Sequence, residues 1–583
     1  MERKWTRQQQ WAIEARGGNL LVSAAAGSGK TAVLVERVIR RLCDPVSPVS
    51  ADRLLIVTFT RAAAAEIRQR IADALAQRIA QEPDNERLLQ QQMLLPYAKI
   101  CTIDAFCSQL VRAHFEALDL PPDFKNADEG ELQLLSEQAM SETLEACYAE
   151  ADEAFLGLVE LLFQGRDDSF LEEMIRALYT ESRSYPFPSL WLREIGESYR
   201  FHGPMLLHPF AHEVAMRISD AIDYLHAFAE MALSIIRDDA VLGKLFVDVF
   251  SDDLRQTEPI IRAMKDRDWD RARAAVYAYT PMRRPPTPKE HRDDPEIERL
   301  ATLRDEIKSV IRDKIRPLFC CSEAEFLSDL RFFAPMIEQL AKTTERYAAS
   351  FDRLKREKQC ADFSDVMHYA LQLLYTEQAD GAFAPSDLSR EIAQTFDEIL
   401  IDEYQDTNRA QDMIFTALAR DNLFRVGDMK QSIYRFRQAM PEIFMELKDA
   451  YPAYDPAKPA FPAKIALKEN FRSRAGVTEI VNFLFSQVMR REAGDVDYSG
   501  DETLVCGAVY PETDECCELH ILDLKELDTE LDSGDTFQAD YVAKHIRRMI
   551  DDGFQVTENG VLRPARYSDF CVRPTFLPAI CSP

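Results

Sequence analysis

Apolar residues along this chain follow two different periods. Short runs such as Leu20-Leu21-Val22, Leu54-Leu55-Ile56-Val57, Ile399-Leu400-Ile401 and Leu423-Phe424-Arg425-Val426 are bounded by polar or small residues. Runs of that length read as buried strands. Behind the first of them Leu34, Val38 and Leu42 recur four residues apart, with Val35 and Ile39 beside them. That spacing predicts an amphipathic helix. Strand followed by helix is the pattern of an α/β fold with a parallel sheet. From about Val111 to Lys358 the texture becomes acidic and helical in period, with a stripe from Leu132, Leu134, Leu135 and Met140 through Leu156, Leu158, Leu161 and Leu162. The Pro-rich, basic run Pro281–Lys289 interrupts it as a loop. The whole segment reads as a helical domain inserted into the α/β domain. Asp362-Phe363-Ser364-Asp365 marks the return, and Ile465-Ala466-Leu467-Lys468 gives one more strand. Beyond it, Val477 to Arg490 reads as an amphipathic helix and Asp495 to Ala539 as an acidic tract broken by turns. Asp540 to Ile550 is another helix, and a strand is expected to start near Tyr567.

The ends of these strands carry the candidate chemistry. Leu20-Leu21-Val22 runs into Ala24-Ala25-Ala26-Gly27-Ser28-Gly29-Lys30-Thr31, which opens the first amphipathic helix. Strand, small-residue loop and helix form the context of a phosphate-binding loop. Gly27 and Gly29 let the backbone turn and aim its N–H groups at one point, where the helix dipole adds to the attraction for anions. Lys30 supplies a point charge for the β- and γ-phosphates, and Thr31 a hydroxyl for Mg²⁺. The pattern expects glycine at its first position, where Ala24 stands. Upstream, Gln9 carries an amide able to pair with both edges of adenine. Asp402 and Glu403 follow the Ile399–Ile401 strand: one is suited to hold Mg²⁺ through water, the other to take a proton from an attacking water. Gln431 follows the Leu423–Val426 strand at a position suited to sense a γ-phosphate. Arg472 follows Ile465–Lys468, and its guanidinium can stabilise charge on a transferring phosphoryl group.

The second strand ends in Thr58-Phe59-Thr60-Arg61. Thr60 is placed to cap the Ala-rich helix after it, and Phe59 stands where open α/β sheets bind ligands. Packing in the core is the plainer reading of Phe59 taken alone. A further strand-to-helix switch falls at Lys99–Phe106. Tyr434 and Phe436 alternate with Arg435 and Arg437, combining the stacking faces and backbone charge that single-stranded nucleic acid requires.

Bulk numbers add limits. At 583 residues the chain exceeds one core and accommodates about three or four domains. A net charge of −29 repels polyanions, so a nucleic-acid partner needs a local basic groove, which the aromatic–arginine stretch provides. The 12 cysteines lack metal-ligand spacing, and the vicinal pairs Cys320-Cys321 and Cys516-Cys517 make poor zinc corners; they read as reduced thiols. The first residues hold no apolar signal core, and no apolar run approaches the roughly 18 residues of a membrane span. A cytoplasmic protein is expected.

Five of these motifs, in this order, resemble the UvrD-like helicases of superfamily 1: the phosphate loop, Thr58-Phe59-Thr60, Asp402-Glu403-Tyr404-Gln405-Asp406, Gln431 through Arg437, and Asn470-Phe471-Arg472-Ser473. The wording Ser23 to Thr31, with Trp5-Thr6 upstream, is most similar to the A-subunit branch of the bacterial AddAB helicase–nucleases. The resemblance implies a RecA-like P-loop motor domain in two parts, 1–110 and 359–475, interrupted by an all-helical insertion at 111–358. The start of a second motor domain follows at 476–583. It implies ATP bound by Gln9 and Ala24, Ala25, Ala26, Gly27, Ser28, Gly29, Lys30 and Thr31, with Mg²⁺ held by Thr31 and Asp402. Lys30, Glu403, Gln431 and Arg472 would act in hydrolysis, Arg472 as an arginine finger. Phe59, Thr60, Arg61, Thr102, Tyr434, Phe436 and Arg437 would touch DNA, single- and double-stranded. Asp104 stands where many members have His. The expected activity is ATP-driven translocation on single-stranded DNA and unwinding in double-strand break repair and recombination. The expected partner, away from membranes, is a B-type helicase–nuclease subunit in a heterodimer.

The later helicase motifs, a second arginine and a nuclease carboxylate–lysine set are not found in the sequence. Residues from about 572 read as an out-of-frame tail, so a truncated product with weak turnover is expected. Two other readings remain: a fragment that binds ATP and single-stranded DNA without motor activity, and a neighbouring UvrD-like helicase without nuclease. A P-loop enzyme acting on small molecules would have no need of Phe59, Tyr434 and Phe436.

Overall fold

The structure is a computed structural model that describes residues 4–162, 167–236, 239–292, 294–379, 381–491, 496–511, 517–522, 534–558 and 561–572. In chain order its principal elements begin with α1 (Arg7–Glu14), β1 (Leu20–Ala24), α2 (Lys30–Leu42), β2 (Leu54–Thr58), α3 (Arg61–Gln81), β3 (Lys99–Thr102) and α4 (Ile103–Ala113). The middle of the chain gives α5 (Glu129–Glu150), α6 (Glu323–Glu357), α7 (Phe363–Leu374), β4 (Glu398–Ile401) and α8 (Arg409–Leu418). The last are β5 (Leu423–Gly427), β6 (Ala463–Leu467) and α9 (Ala475–Val488). Six parallel strands, β1 to β6, make up the main sheet. Parallel strands are covered on both faces, which is why they read as continuous apolar runs rather than alternations. All five residues of β2 and all four of β4 are buried.

The chain divides into two compact units: Met1–Ser47 with Phe424–Gln431 and Lys448–Pro583, and Pro48–Leu423 with Ser432–Leu447. In the first unit β1 lies between β6 and β5, with Leu20 opposite Ala463 on one side and Phe424 on the other. Thr6 and Gln9 form a capping box at the start of α1. Buried Arg37 of α2 fastens α1 to it by donating from Nη1 to the carbonyls of Ala12 and Ala15, both at 2.8 Å. Its guanidinium also lies over the Phe424 ring.

In the second unit β2 lies between β3 and β4, with Leu55 opposite Lys99 and Ile399. The residues between α4 and α7 are overwhelmingly helical and form two apolar cores. One gathers α5, α6 and the helices Glu153–Leu162 and Ser169–Ser182 around Phe155, Tyr347 and Phe351. The other lies between Met205 and Phe319 around Trp269, whose indole N–H donates to the Cys321 carbonyl at 2.8 Å. A buried ion set joins the first core to α7. Lys355 lies 3.0 Å from Asp362 and 2.5 Å from Asp365, and Arg183 lies 3.1 Å from Asp365. His368, also buried, hydrogen-bonds through Nε2 to the Arg183 carbonyl at 3.0 Å. Pro281–Pro288 is the expected loop, and Lys289 opens the short 3₁₀ turn Lys289–His291.

The C-terminal reading needs one correction. No strand starts at Tyr567: Tyr567–Asp569 is a 3₁₀ turn that follows the antiparallel hairpin of Gln555–Glu558 with Val561–Pro564. Arg563 reaches across to both Asp569 oxygens at 2.7 and 2.8 Å, and Asp569 Oδ2 accepts the Arg566 N–H at 2.8 Å. Those bonds close a turn where an extended strand would have left the carboxylate unpaired. The expected aberrant tail lies outside the described residues from 573 on, and so does much of the acidic 495–539 tract. Among the described residues no helix is long and apolar enough to cross a membrane.

Candidate active site

In the first unit the loop after β1 is shaped by two glycines in the left-handed region, Gly27 at φ +71° and Gly29 at φ +81°. A Cβ on Gly27 would stand 2.8 Å from Asn470 Nδ2, so sterics as well as φ exclude a side chain. The loop is held from two sides. Behind it, Gln9 Nε2 donates to the Ser28 carbonyl at 2.8 Å, while Gln9 Oε1 accepts the Thr6 N–H at 2.9 Å. Gln9 is 2 % exposed, and in this arrangement its amide nitrogen holds α1 to the loop while its amide oxygen closes the cap of α1. In front, Asn470 Nδ2 donates to the Ala26 carbonyl at 2.8 Å and the Phe471 N–H to the Gly27 carbonyl at 2.9 Å. The same Asn470 side chain accepts the N–H groups of Arg472 at 2.8 Å and Ser473 at 2.7 Å. Arg472 is therefore anchored through its backbone to the phosphate-loop side of the sheet.

Lys30 begins α2, and its Nζ donates to Gln431 Oε1 at 3.3 Å across a sequence separation of 401 residues. Gln431 Nε2 in turn donates to Asp428 Oδ2 at 2.7 Å. The Ser28 hydroxyl is buried in the loop without a hydrogen-bond partner among the described residues. Backbone N–H groups at a helix N-terminus, an ammonium, an unpartnered hydroxyl and the adjacent Thr31 hydroxyl make a donor set that fits a nucleoside polyphosphate with a hard divalent cation. Lys30, Thr31, Gln431 and the Asn470 clip on Arg472 thus belong to one site in this unit.

The second unit carries the acids and the aromatic surface. Asp402 follows β4, is 7 % exposed and is fixed by its N–H donating to the Val57 carbonyl at 2.9 Å. Glu403 adopts φ +51°, a left-handed conformation that costs a non-glycine residue about 1–2 kcal/mol. The turn is over-determined by its neighbours. Gln405, 1 % exposed, donates to Glu403 Oε2 at 3.0 Å and Asp406 Oδ2 at 3.2 Å, and Tyr404 donates its hydroxyl proton to Asp412 at 2.6 Å. Strain maintained in this way at a pair of acids makes the turn a candidate functional site.

Phe59 and Tyr434 stack with centroids 4.7 Å apart and planes at 29°, and Phe436 lies 5.7 Å from Tyr434. The Arg437 guanidinium sits 5.6 to 5.9 Å from all three rings. Phe436 is 76 % exposed, so the cluster is a surface rather than a core. Thr60 and Thr102 cap α3 and α4 by accepting the N–H groups of Ala63 and Ala105, and Arg61 is the exposed first residue of α3.

Sequence reasoning gave no role to Asn470, Gln405 or Asp428. Each is a buried polar residue just after a strand, and that placement is the signal that could have raised them.

Comparison with known proteins adds a separate finding. The profile of the UvrD/REP helicase N-terminal domain matches residues 5–452. The chain is 33% identical to the A subunit of the ATP-dependent helicase/nuclease of Bacillus cereus, over 98% of this chain and 47% of that protein. It is 37% identical to the corresponding A subunit of Acetivibrio thermocellus, over 87% of this chain and 41% of that protein. The chain spans about half the length of the curated relatives it matches.

Proposed function

The chain belongs to the UvrD/REP helicase family, and from that premise we propose that it is the ATP-hydrolysing motor part of a DNA helicase that moves on single-stranded DNA. The observation that carries the proposal is the Lys30–Gln431 hydrogen bond. It joins the residue suited to the terminal phosphate to a segment that, three residues later in sequence, becomes the Tyr434–Phe436 aromatic surface.

Each residue then has a part. Backbone N–H groups of the loop that turns at Gly27 and Gly29 and the Lys30 ammonium hold the phosphates. Thr31 and Asp402 hold Mg²⁺, which when bound supplies charge neutralisation for the phosphate oxygens. Glu403 accepts a proton from the attacking water. Arg472, a planar and permanent cation, opposes charge developing on the transferred phosphoryl group. Gln431 relays the presence of the third phosphate, and Phe59, Tyr434 and Phe436 stack on bases while Arg437 adds charge. Gln9 reaches adenine once it exchanges its bonds to Thr6 and Ser28. The similar proteins are named as A subunits of a helicase/nuclease. That supports a role in break repair and recombination, in a heterodimer with a B-type helicase–nuclease subunit.

Steady-state ATP turnover of the 583-residue chain, with and without single-stranded DNA and beside Lys30→Ala, tests this. DNA-stimulated turnover that Lys30→Ala abolishes is the expected result. Turnover at background in both, with nucleotide still bound, would leave a binding portion whose motor activity belongs to a longer protein. Absence of nucleotide binding would overturn the reading.

A further inference from the structure

The first unit contains a continuous polar chain that leaves the phosphate loop and returns to it. Lys30 Nζ donates to Gln431 Oε1 at 3.3 Å, and Gln431 Nε2 to Asp428 Oδ2 at 2.7 Å. The other Asp428 oxygen lies 2.8 Å from Lys430 Nζ. Lys430 also pairs with Glu502 Oε2, and the second Glu502 oxygen pairs with Lys448. These are not surface pairs: the Asp428 and Glu502 side chains are 1 % and 6 % exposed, and both lysines 12 %.

From Glu502 the path goes back through the backbone. The turn Gly500–Glu502 leads into Val505–Cys506, which pairs in parallel with Glu469–Asn470. The Val505 N–H donates to the Lys468 carbonyl at 3.0 Å and the Gly507 N–H to that of Asn470 at 2.8 Å. Asn482 of α9 fixes the short link between them by exchanging two hydrogen bonds with the Leu504 backbone. Asn470 closes the circuit on Ala26 and anchors Arg472.

A buried set of two ammonium groups and two carboxylates contributes little net stability over apolar residues of the same volume, because desolvation offsets the attraction. Its effect is geometric: each donor has one place to be, so a displacement at one end is carried to the other. We propose that Glu502 is a positioning residue that ties the γ-phosphate-sensing Gln431 to the turn carrying Arg472. Arg472 then takes its place according to whether Lys30 and Gln431 engage a third phosphate. This rests on the ATP reading above.

The test compares ADP with a slowly hydrolysed triphosphate, ATPγS, each with Mg²⁺, binding to the full chain. Wild type is expected to prefer ATPγS. Glu502→Gln keeps the shape and removes the charge; it should leave ADP affinity within about two-fold and cut the ATPγS preference about ten-fold, inside the roughly 5–150-fold range of site-to-site coupling. If that variant does not melt cooperatively, Glu502→Asp decides, since its shorter arm keeps the charge but reaches only one lysine, and the same loss of preference is expected. Equal weakening of both nucleotides would make Glu502 a mere brace, and unchanged preference would remove it from the circuit; either overturns the proposal. Failure of wild type to bind either nucleotide would instead overturn the ATP reading.

Discussion

Replacing Asn470 by Asp changes one NH₂ to an oxygen in a side chain that is 4 % exposed. The two bonds accepted from the Arg472 and Ser473 N–H groups survive, now made to a carboxylate. The bond donated to the Ala26 carbonyl at 2.8 Å is lost, and two acceptors face each other across that gap. Loss of one hydrogen bond costs about 0.5–1.5 kcal/mol, and leaving the half-buried Ala26 carbonyl unpaired adds up to about 1–3 kcal/mol. The charged acceptor recovers part of this, so a net loss of about 2–3 kcal/mol is expected. For a protein of this size each kcal/mol moves the melting midpoint by roughly 2–4 °C, which puts the expected drop at roughly 5–10 °C. Because the broken bond is the one that fixes Ala26, next to Gly27, nucleotide affinity should fall as well, by about ten-fold for each 1.4 kcal/mol borne by the loop. Asn470→Ala, which loses all three bonds, should melt lower still. Thermal melting without nucleotide and titration with fluorescent ADP measure both effects. An Asn470→Asp protein that melts within about 1 °C of wild type and binds ADP equally well would refute the idea that this amide organises the loop.

Two other outcomes follow from different parts of the molecule. Phe59→Ala or Tyr434→Ala should weaken binding of a short single-stranded oligonucleotide about ten-fold, since a base–aromatic stack is worth about 1–3 kcal/mol, while leaving ADP binding unchanged; equal DNA affinity in fluorescence anisotropy would remove the stack from the DNA surface. Burial, with the Arg183 guanidinium beside it, lowers His368 from its ordinary 6.5 to about 3; the unfolded chain therefore takes up the proton first, and stability falls as pH drops from about 6.5 toward 3, by about 2 kcal/mol at pH 5 from this group. His368→Gln should remove that part of the acid sensitivity, and wild-type and variant unfolding curves that shift in parallel between pH 7 and pH 5 would contradict it.

Strands and loops at the sheet were legible because their signals are local. A buried parallel strand must be apolar throughout, as Leu54–Val57 is, and a loop that turns at Gly27 and Gly29 just before a lysine at a helix start offers a candidate anion site in its own residues. Positions fixed by distant partners were not legible. Asn470 is a common polar residue until its amide is found on Ala26, and Gln405 looks like any turn glutamine until it is found buried between Glu403 and Asp406. Lys355 reads from its neighbours as one more charge near the end of a helix, yet its side chain is 1 % exposed because Asp362 and Asp365 follow on the next element. Near Tyr567 an apparent strand start gave way to a turn because Arg563 and Asp569 pair within six residues, a contact that period counting does not register.

The Asn470–Ala26 contact also bears on how the protein is made. The two residues are 444 positions apart, and everything between them must be synthesised before the clip can close. At about 5–20 residues per second, that interval is roughly 20–90 s. Through it the nascent chain carries β1 with neither β5 nor β6 to pair with, and a phosphate loop without its front brace. Contacts so far apart in sequence make for slow folding, while the helical middle, built from near neighbours, is free to collapse early. The loop after β1 thus leaves the ribosome well before the segment that braces it and is among the last parts of the sheet to become ordered.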